Sequence, residues 1–374
     1  MHLPDYAGGS LVNLVAELER RLTGHALHPG LHPGLAGAIP GAESYLLVLF
    51  DGLGDHQLAH PAAAALFESR VGAIDAAFPT TTTVSMATVA TGMTPAEHGL
   101  LGYQMLIPET GHVVNTIKWT TQWGEPIDYD QEGLLPSPNL WERLAAAGIE
   151  PITVQPWNFD GSPMSRMLYR GCRFEAWRDE DEAADVAVEL AAVAGRLVFL
   201  YLPHVDFAAH VGGQRSDGYA AAMAIVARTW ERMARRLPDH AVAVGTADHG
   251  HVDVPAEHRI RIPASAHEDR KFGGDPRAVF VYGEGASLAV NLGVGWVPRV
   301  EMVGWWGPGT RHPSFEDRAP DGVLLPPPGC SLLHRHTDER LIGQHGGVTL
   351  GEVWVPVLVA PSRRGGGRAA APSH

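Results

Sequence analysis

The segment "SYLLVLFDGLGD" (44–55) is an apolar run that breaks off into aspartate and glycine. Three later segments repeat this grammar: "GIEPITVQP" (148–156), "GRLVFLYLPHVD" (195–206) and "HAVAVGTADHGH" (240–251). Short runs without polar alternation suit strands covered on both faces, as in parallel sheets. Helical spacing of apolar residues lies between them in "SPNLWERLAAAG" (137–148), "RDEDEAADVAVELAAVAG" (178–195) and "SDGYAAAMAIVARTWERMARRLP" (216–238). Strands alternating with helices need crossover connections, so the pattern predicts an α/β fold: a mostly parallel central sheet with helices on both faces. The opening "MHLPDYAGGSLVNLVAELERRL" reads as an amphipathic helix with acids and arginines on one face. From about 255 to 335 the periodicity gives way to Gly, Pro and scattered Trp, which predicts an inserted subdomain or long loops near the site, within a single domain over 1–360. The tail 361–374 is low in complexity and is expected to be disordered.

In sheets of this kind ligands bind beyond the carboxyl ends of the strands, which is where Asp51, Asp206, Asp248 and His249 fall. "HVDFAAH" sets Asp206 and His210 four apart, so one helical turn presents both on one face, as two ligands of one metal would be. "GQHGG" (343–347) places His345 between glycines that let backbone approach a site. Each piece alone has a plainer explanation: Asp51 as a turn or N-cap residue, Asp206 and His210 as a surface pair, Asp248 and His249 as a satisfied turn. Independent caps would have no reason to pair with histidines at one edge of a sheet. Together three carboxylates and three imidazoles are enough for two divalent ions, and all-N/O ligation suits zinc or manganese. A threonine oxygen from "FPTTTTVSMATVATG" (78–92) could complete one sphere. By itself that run also reads as a β-branched strand or a helix entry capped by Thr82 and Ser85.

The bulk numbers exclude other classes. A net charge of −14 argues against a nucleic-acid polymer or an anionic membrane as partner, since both want a basic surface. The two cysteines, Cys172 and Cys330, allow neither a disulfide framework nor a thiolate zinc site. With no basic-then-apolar leader and no long apolar span, the expected location is the cytoplasm.

In the order Asp, Thr, Asp-x-x-x-His, Asp-His, His, these motifs resemble the alkaline phosphatase superfamily and, within it, the nucleotide pyrophosphatase/phosphodiesterase branch. The resemblance covers the segments near 44–103, 195–250 and 340–359. It implies an alkaline phosphatase-like fold and a metal-dependent hydrolase that cleaves phosphodiester or pyrophosphate bonds of a small, nucleotide-like substrate. In that branch Phe-Pro-x-x-Thr is followed nine residues later by the Thr of a Thr-Gly pair; here that pair is Thr91 and Gly92, so the nucleophile is expected at Thr82 rather than Thr80, Thr81 or Thr83. The resemblance further implies one ion on Asp206, His210 and His345 and a second on Asp51, Asp248, His249 and Thr82, with zinc expected and manganese the alternative. Thr82 would form a phospho-threonine that water then hydrolyses.

Diesterases of the branch carry an Asn beyond the "HG" motif that binds a nonbridging phosphate oxygen. That position is Tyr103 here, whose hydroxyl can donate the same bond; a backbone amide at Thr83 is the other candidate donor. Glu97 and His98 read as turn residues. A phosphomonoesterase or phosphonate hydrolase on the same core would want a cation against a dianion, with Lys118, Arg166, Lys271 and Arg277 as candidates. A sulfatase is disfavoured because the Cys/Ser-x-Pro-x-Arg pattern is missing, and a metal-binding protein without turnover because no ligand or nucleophile is missing. Trp119, Trp123, Tyr129 and Trp157 are candidates for a stacking wall.

Overall fold

The four apolar runs become strands of one seven-stranded sheet in the computed structural model, which describes residues 1–360. In chain order the strands are β1 (Ser44–Phe50), β2 (Arg70–Asp75), β3 (Glu150–Pro156), β4 (Arg173–Trp177), β5 (Arg196–Leu202), β6 (Ala241–Thr246) and β7 (Trp354–Val359). Across the sheet the order is β2-β7-β6-β1-β5-β3-β4. β6, β1, β5, β3 and β4 run parallel, and β7 is antiparallel to both its neighbours. β1 is buried along its whole length and β5 after its first residue, which is why neither alternates in polarity.

Helices flank the sheet in two groups. α1 (Leu11–Thr23), α2 (Thr82–Thr91) and α3 (Leu140–Ala146) pack on one another; α4 (Glu180–Ala191), α5 (His204–Gly212) and α6 (Asp217–Arg236) form the second group. Local sequence sets their starts, with the side chains of Asn139, Asp179 and Ser216 accepting backbone N–H bonds in the first turns of α3, α4 and α6. α1 departs from a simple solvated charged face. Glu17 and Glu19 are buried, because Glu17 is bonded by Arg20 and Arg21 and Glu19 is gripped by Arg143 of α3.

The stretch 255–335, irregular in sequence, contains regular strands. Lys271–Asp275, Ala278–Tyr282, Gly322–Leu325 and Gly295–Pro298 form a four-stranded antiparallel sheet over a small core of its own, with Phe272, Val279, Val281 and Leu324 at its centre. Its strands are four or five residues long and joined by turns, too short for their alternation to stand out. The tail 361–374 lies outside the described residues. Among the described residues no helix is long and apolar enough to cross a membrane.

Candidate active site

Register in the sheet brings the site residues together. Phe50 is opposite Leu202 and Leu49 opposite Thr246, so β1, β5 and β6 end level and deliver Asp51, the start of α5 and Asp248 to one edge. Asp51 N–H donates to Leu202 O and Asp206 N–H to Asp51 O, tying the first turn of α5 to β1. This closeness requires Gly52: its φ is +75°, and a Cβ there would stand 2.7 Å from the Asp206 Cα. His345 arrives from the segment before β7. There Gly346, at φ +103°, leaves room for Asp275, which a Cβ would meet at 2.2 Å.

The four threonines do four different things. Thr80 bonds the His345 loop, donating to Gly347 O and accepting from Gly346 N–H, while its carbonyl accepts from His345 Nδ1. Thr81 is the N-cap of α2, but its hydroxyl donates to Asp275. Thr82 is the first helical residue, with Oγ1 3.5 Å from Asp51 Oδ1 and 3.2 Å from His249 Nε2. Thr83 is buried and accepts from Thr116 Oγ1. Since no side chain caps α2, its first amides point free toward the same space, a setting that favours an anion.

Seven of the eight residues singled out in the sequence as ligands or catalytic groups converge, and Tyr103 borders the same cavity as Thr82. Asp51, Asp248 and His249 offer ligand atoms all within 4.8 Å of one another, as do Asp206, His249, His251 and His345. His249 therefore faces both groups. His210 stands beside the second, its Nε2 3.3 Å from Asp206 Oδ1. His251 was not among the sequence candidates, although an extended chain puts positions 249 and 251 on one face, a parity visible in "DHGH". Tyr201 was missed too; its hydroxyl donates to Asp51 Oδ2.

The electrostatics describe a site short of positive charge. Burial, with the charges of Asp206 and Asp248 added, pushes Asp51 well above the usual carboxylate range. Burial acts the same way on Asp206, but the charge and hydrogen bond of His210 and the bond from His251 outweigh it and hold Asp206 well below that range. His210 in turn is held up at about 8, burial opposing and Asp206 prevailing. His345 is depressed well below the usual imidazole range by burial and by its histidine neighbours. Asp248 Oδ1 accepts from the amides of Gly52 and His249, whereas its buried Oδ2 has no partner and lies 3.4 Å from His249 Nε2. Three converging carboxylates, an orphaned carboxylate oxygen and inward-facing imidazole nitrogens fit divalent cations in N/O ligation.

Two cavities open on either side of Thr82, and Thr82, Ile117 and Asp206 line both. One, of about 360 Å³, is mainly apolar, with Met86, Phe159, Met164, Leu168 and Phe207. The other, of about 280 Å³, carries more polar groups, among them Tyr103, Gln104, His210, Asp275, His336 and Asp338. Among the described residues no Lys or Arg lines either cavity. Arg166 bonds Glu132, Lys271 bonds Gly111 O, Arg277 is buried against Glu352, and Lys118 is exposed. The expected stacking wall is also elsewhere: Trp119 stacks on Tyr129, Trp123 and Trp157 are exposed, and none of the four lines these cavities. Tyr103 accepts a 2.8 Å bond from Asn115 Nδ2, and Asn115 Oδ1 accepts from the amides of Ile117 and Lys118, which fixes the amide's orientation. The Tyr103 hydroxyl proton is thus left to donate into the cavity. Glu97 and His98 serve the turn after α2, Glu97 in a capping box with Thr94 and His98 against Thr88.

A family model described as type I phosphodiesterase / nucleotide pyrophosphatase matches residues 45–294. No curated protein matches the chain in sequence. Among solved structures, murine ectonucleotide pyrophosphatase/phosphodiesterase 5 superposes with a TM-score of 0.63 at 16% identity, covering 84% of this chain and 87% of that one. An inactive form of the same murine protein in complex with AMP gives 0.62 at 16% identity over 84% and 87% of the two chains. Phosphonoacetate hydrolase from Sinorhizobium meliloti 1021 in complex with phosphonoformate gives 0.63 at 18% identity, covering 86% of this chain and 91% of that one. At such identities the likenesses establish a common fold.

Proposed function

The chain belongs to the type I phosphodiesterase / nucleotide pyrophosphatase family, and from that membership we propose that it hydrolyses a phosphodiester or pyrophosphate bond of a small nucleotide-like substrate through a phospho-threonine at Thr82. The observation that carries this reading is the placement of Thr82, whose hydroxyl faces Asp51 and His249 at the open end of α2 and borders both cavities. Asp51, Asp248, His249 and Thr82 would hold one divalent ion and Asp206, His210 and His345 the other, zinc or manganese. Such ions lower the pKa of a coordinated hydroxyl or water and offset charge on a departing oxygen. Thr82 Oγ1 attacks phosphorus, the bond to the ester oxygen breaks, and water later cleaves the phospho-threonine to regenerate the hydroxyl. The amides of the first turn of α2 and the Tyr103 hydroxyl would meet nonbridging oxygens.

The charge inventory favours a diester over the monoesterase or phosphonate-hydrolase alternative. A diester carries one negative charge and is served by neutral donors, whereas a dianion is better held by a guanidinium, and among the described residues neither cavity offers one. The apolar cavity gives one ester arm a place to bury. The cytoplasmic location belongs to the proposal as well, supported by two cysteines that are both free.

Assays with bis-p-nitrophenyl phosphate, thymidine 5′-p-nitrophenyl phosphate and p-nitrophenyl phosphate, each with zinc or manganese and with excess chelator, test the reading. Diesters should turn over faster than the monoester, and chelation should abolish all activity. Faster monoester turnover would replace the diesterase reading with the alternative. Tyr103→Phe should slow diester turnover roughly 10²-fold, the effect of one oxyanion donor, at unchanged metal content.

A further inference from the structure

Four imidazoles crowd the site, and three of them are held in the same way. His210 Nδ1 lies 2.8 Å from Gly343 O, His345 Nδ1 2.9 Å from Thr80 O, and His249 Nδ1 3.2 Å from Gly250 O. A backbone carbonyl can only accept, so each Nδ1 donates to it and Nε2 is the nitrogen left to face the carboxylates. This is the usual support for a metal-ligating histidine. His251 is the reverse. Its buried Nδ1 has no partner and is wedged against Gly343, where a Cβ would come within 2.9 Å of it, while its Nε2 is 2.7 Å from Asp206 Oδ1. Its Nε2 is instead the ring nitrogen with a partner, the Asp206 carboxylate, so His251 lacks the carbonyl support at Nδ1 that the three other rings share.

We propose that His251 is a positioning residue for the sphere that contains Asp206: its Nε2–H holds the Asp206 carboxylate in orientation without itself binding the ion. The inference rests on the two-metal reading above. The ring has no freedom to take another role. It is fully buried, its Cδ2 faces Gly52 on one side, and Gly343 closes the other. Tyr201 does the corresponding work at the other group, donating to Asp51 Oδ2, so each sphere has one carboxylate braced by a buried donor. Supporting donors of this kind are worth about 10–100-fold in metal affinity.

The test loads chelator-stripped protein with Zn2+ against a chromophoric competitor and with Co2+ for its visible spectrum, in wild type, His251→Met and His251→Gln. Gln keeps an N–H donor near the Nε2 position and Met removes it. The expected result is that Met weakens one ion about 10–100-fold, the same ion that Asp206→Ala and His345→Ala lose, that Gln recovers most of the affinity, and that the Co2+ spectrum keeps its coordination number in both. Equal affinities in all three proteins, or a spectrum showing one ligand fewer in both variants, would overturn the inference while leaving the two-metal reading intact. If Met does not fold, Gln decides: a Gln variant as weak as Asp206→Ala makes His251 a ligand. Wild-type protein that binds no divalent ion would remove the two-metal reading and this inference with it.

Discussion

At the scale of single residues, the threonine run shows how much function can depend on register. Thr82→Ala should abolish hydrolysis while the protein still folds and binds at least one ion, because the proposed nucleophile is only one of several groups in its cluster. Thr82→Ser should keep measurable activity, since it retains the oxygen. Turnover and metal content of the two variants check this, and a near-normal rate for Thr82→Ala would shift the nucleophile to Thr81 or Thr83. The structure adds an expectation about the neighbour. Thr80→Ala removes both hydroxyl bonds that anchor the His345 loop, so it should weaken the ion shared by Asp206 and His345 and act on activity through metal affinity. Such an effect would be rescued by added zinc, as loss of Thr82 would not. The converging residues Asp51, Asp206, Asp248, His249 and His345 were legible in the sequence because each sits at the end of an apolar run or between glycines, and His210 because it stands one helical turn after Asp206. His251, Tyr201 and Asn115 were not singled out, because each bonds a partner elsewhere in the chain, Asp206, Asp51 and Tyr103 respectively, and only for His251 did the sequence carry a sign, its alternation with His249.

At the scale of elements, the buried pair between Arg277 and Glu352 joins the small antiparallel sheet to the segment that carries His345. Arg277 Nε and Nη2 donate to the two oxygens of Glu352 at 3.0 and 3.1 Å, and Glu352 also accepts from Gly347 N–H and Thr349 Oγ1. Both side chains are almost fully buried. Removing one partner strands the other charge, so Arg277→Ala should destabilise the protein by about 3–5 kcal/mol, measurable by denaturant titration of the chelated form. A cost near zero would mean that the link between the two elements is not structural. The long strands and helices were readable from periodicity, since β1, β5 and α6 bury continuous or one-sided apolar surface. The sheet within 255–335 was not, because strands of four or five residues between turns leave too few positions for alternation to register.

At the scale of the whole molecule, a net charge of −14 surrounds a site whose cavities carry, among the described residues, no Lys or Arg. An anionic substrate is repelled at a distance and attracted only close to bound cations. Raising ionic strength from about 0.01 to about 0.15 M shortens the screening length from roughly 30 to 8 Å, which hides the distant charge more than the near one. The kcat/KM for a diester should therefore rise over that range, and a steady fall would show that the surface guides substrate in. Chain connectivity has its own consequence. Asp206 and His345 lie on opposite sides of the whole 255–335 stretch, so an ion that bound both would join two distant segments of the chain and tie down the small sheet between them.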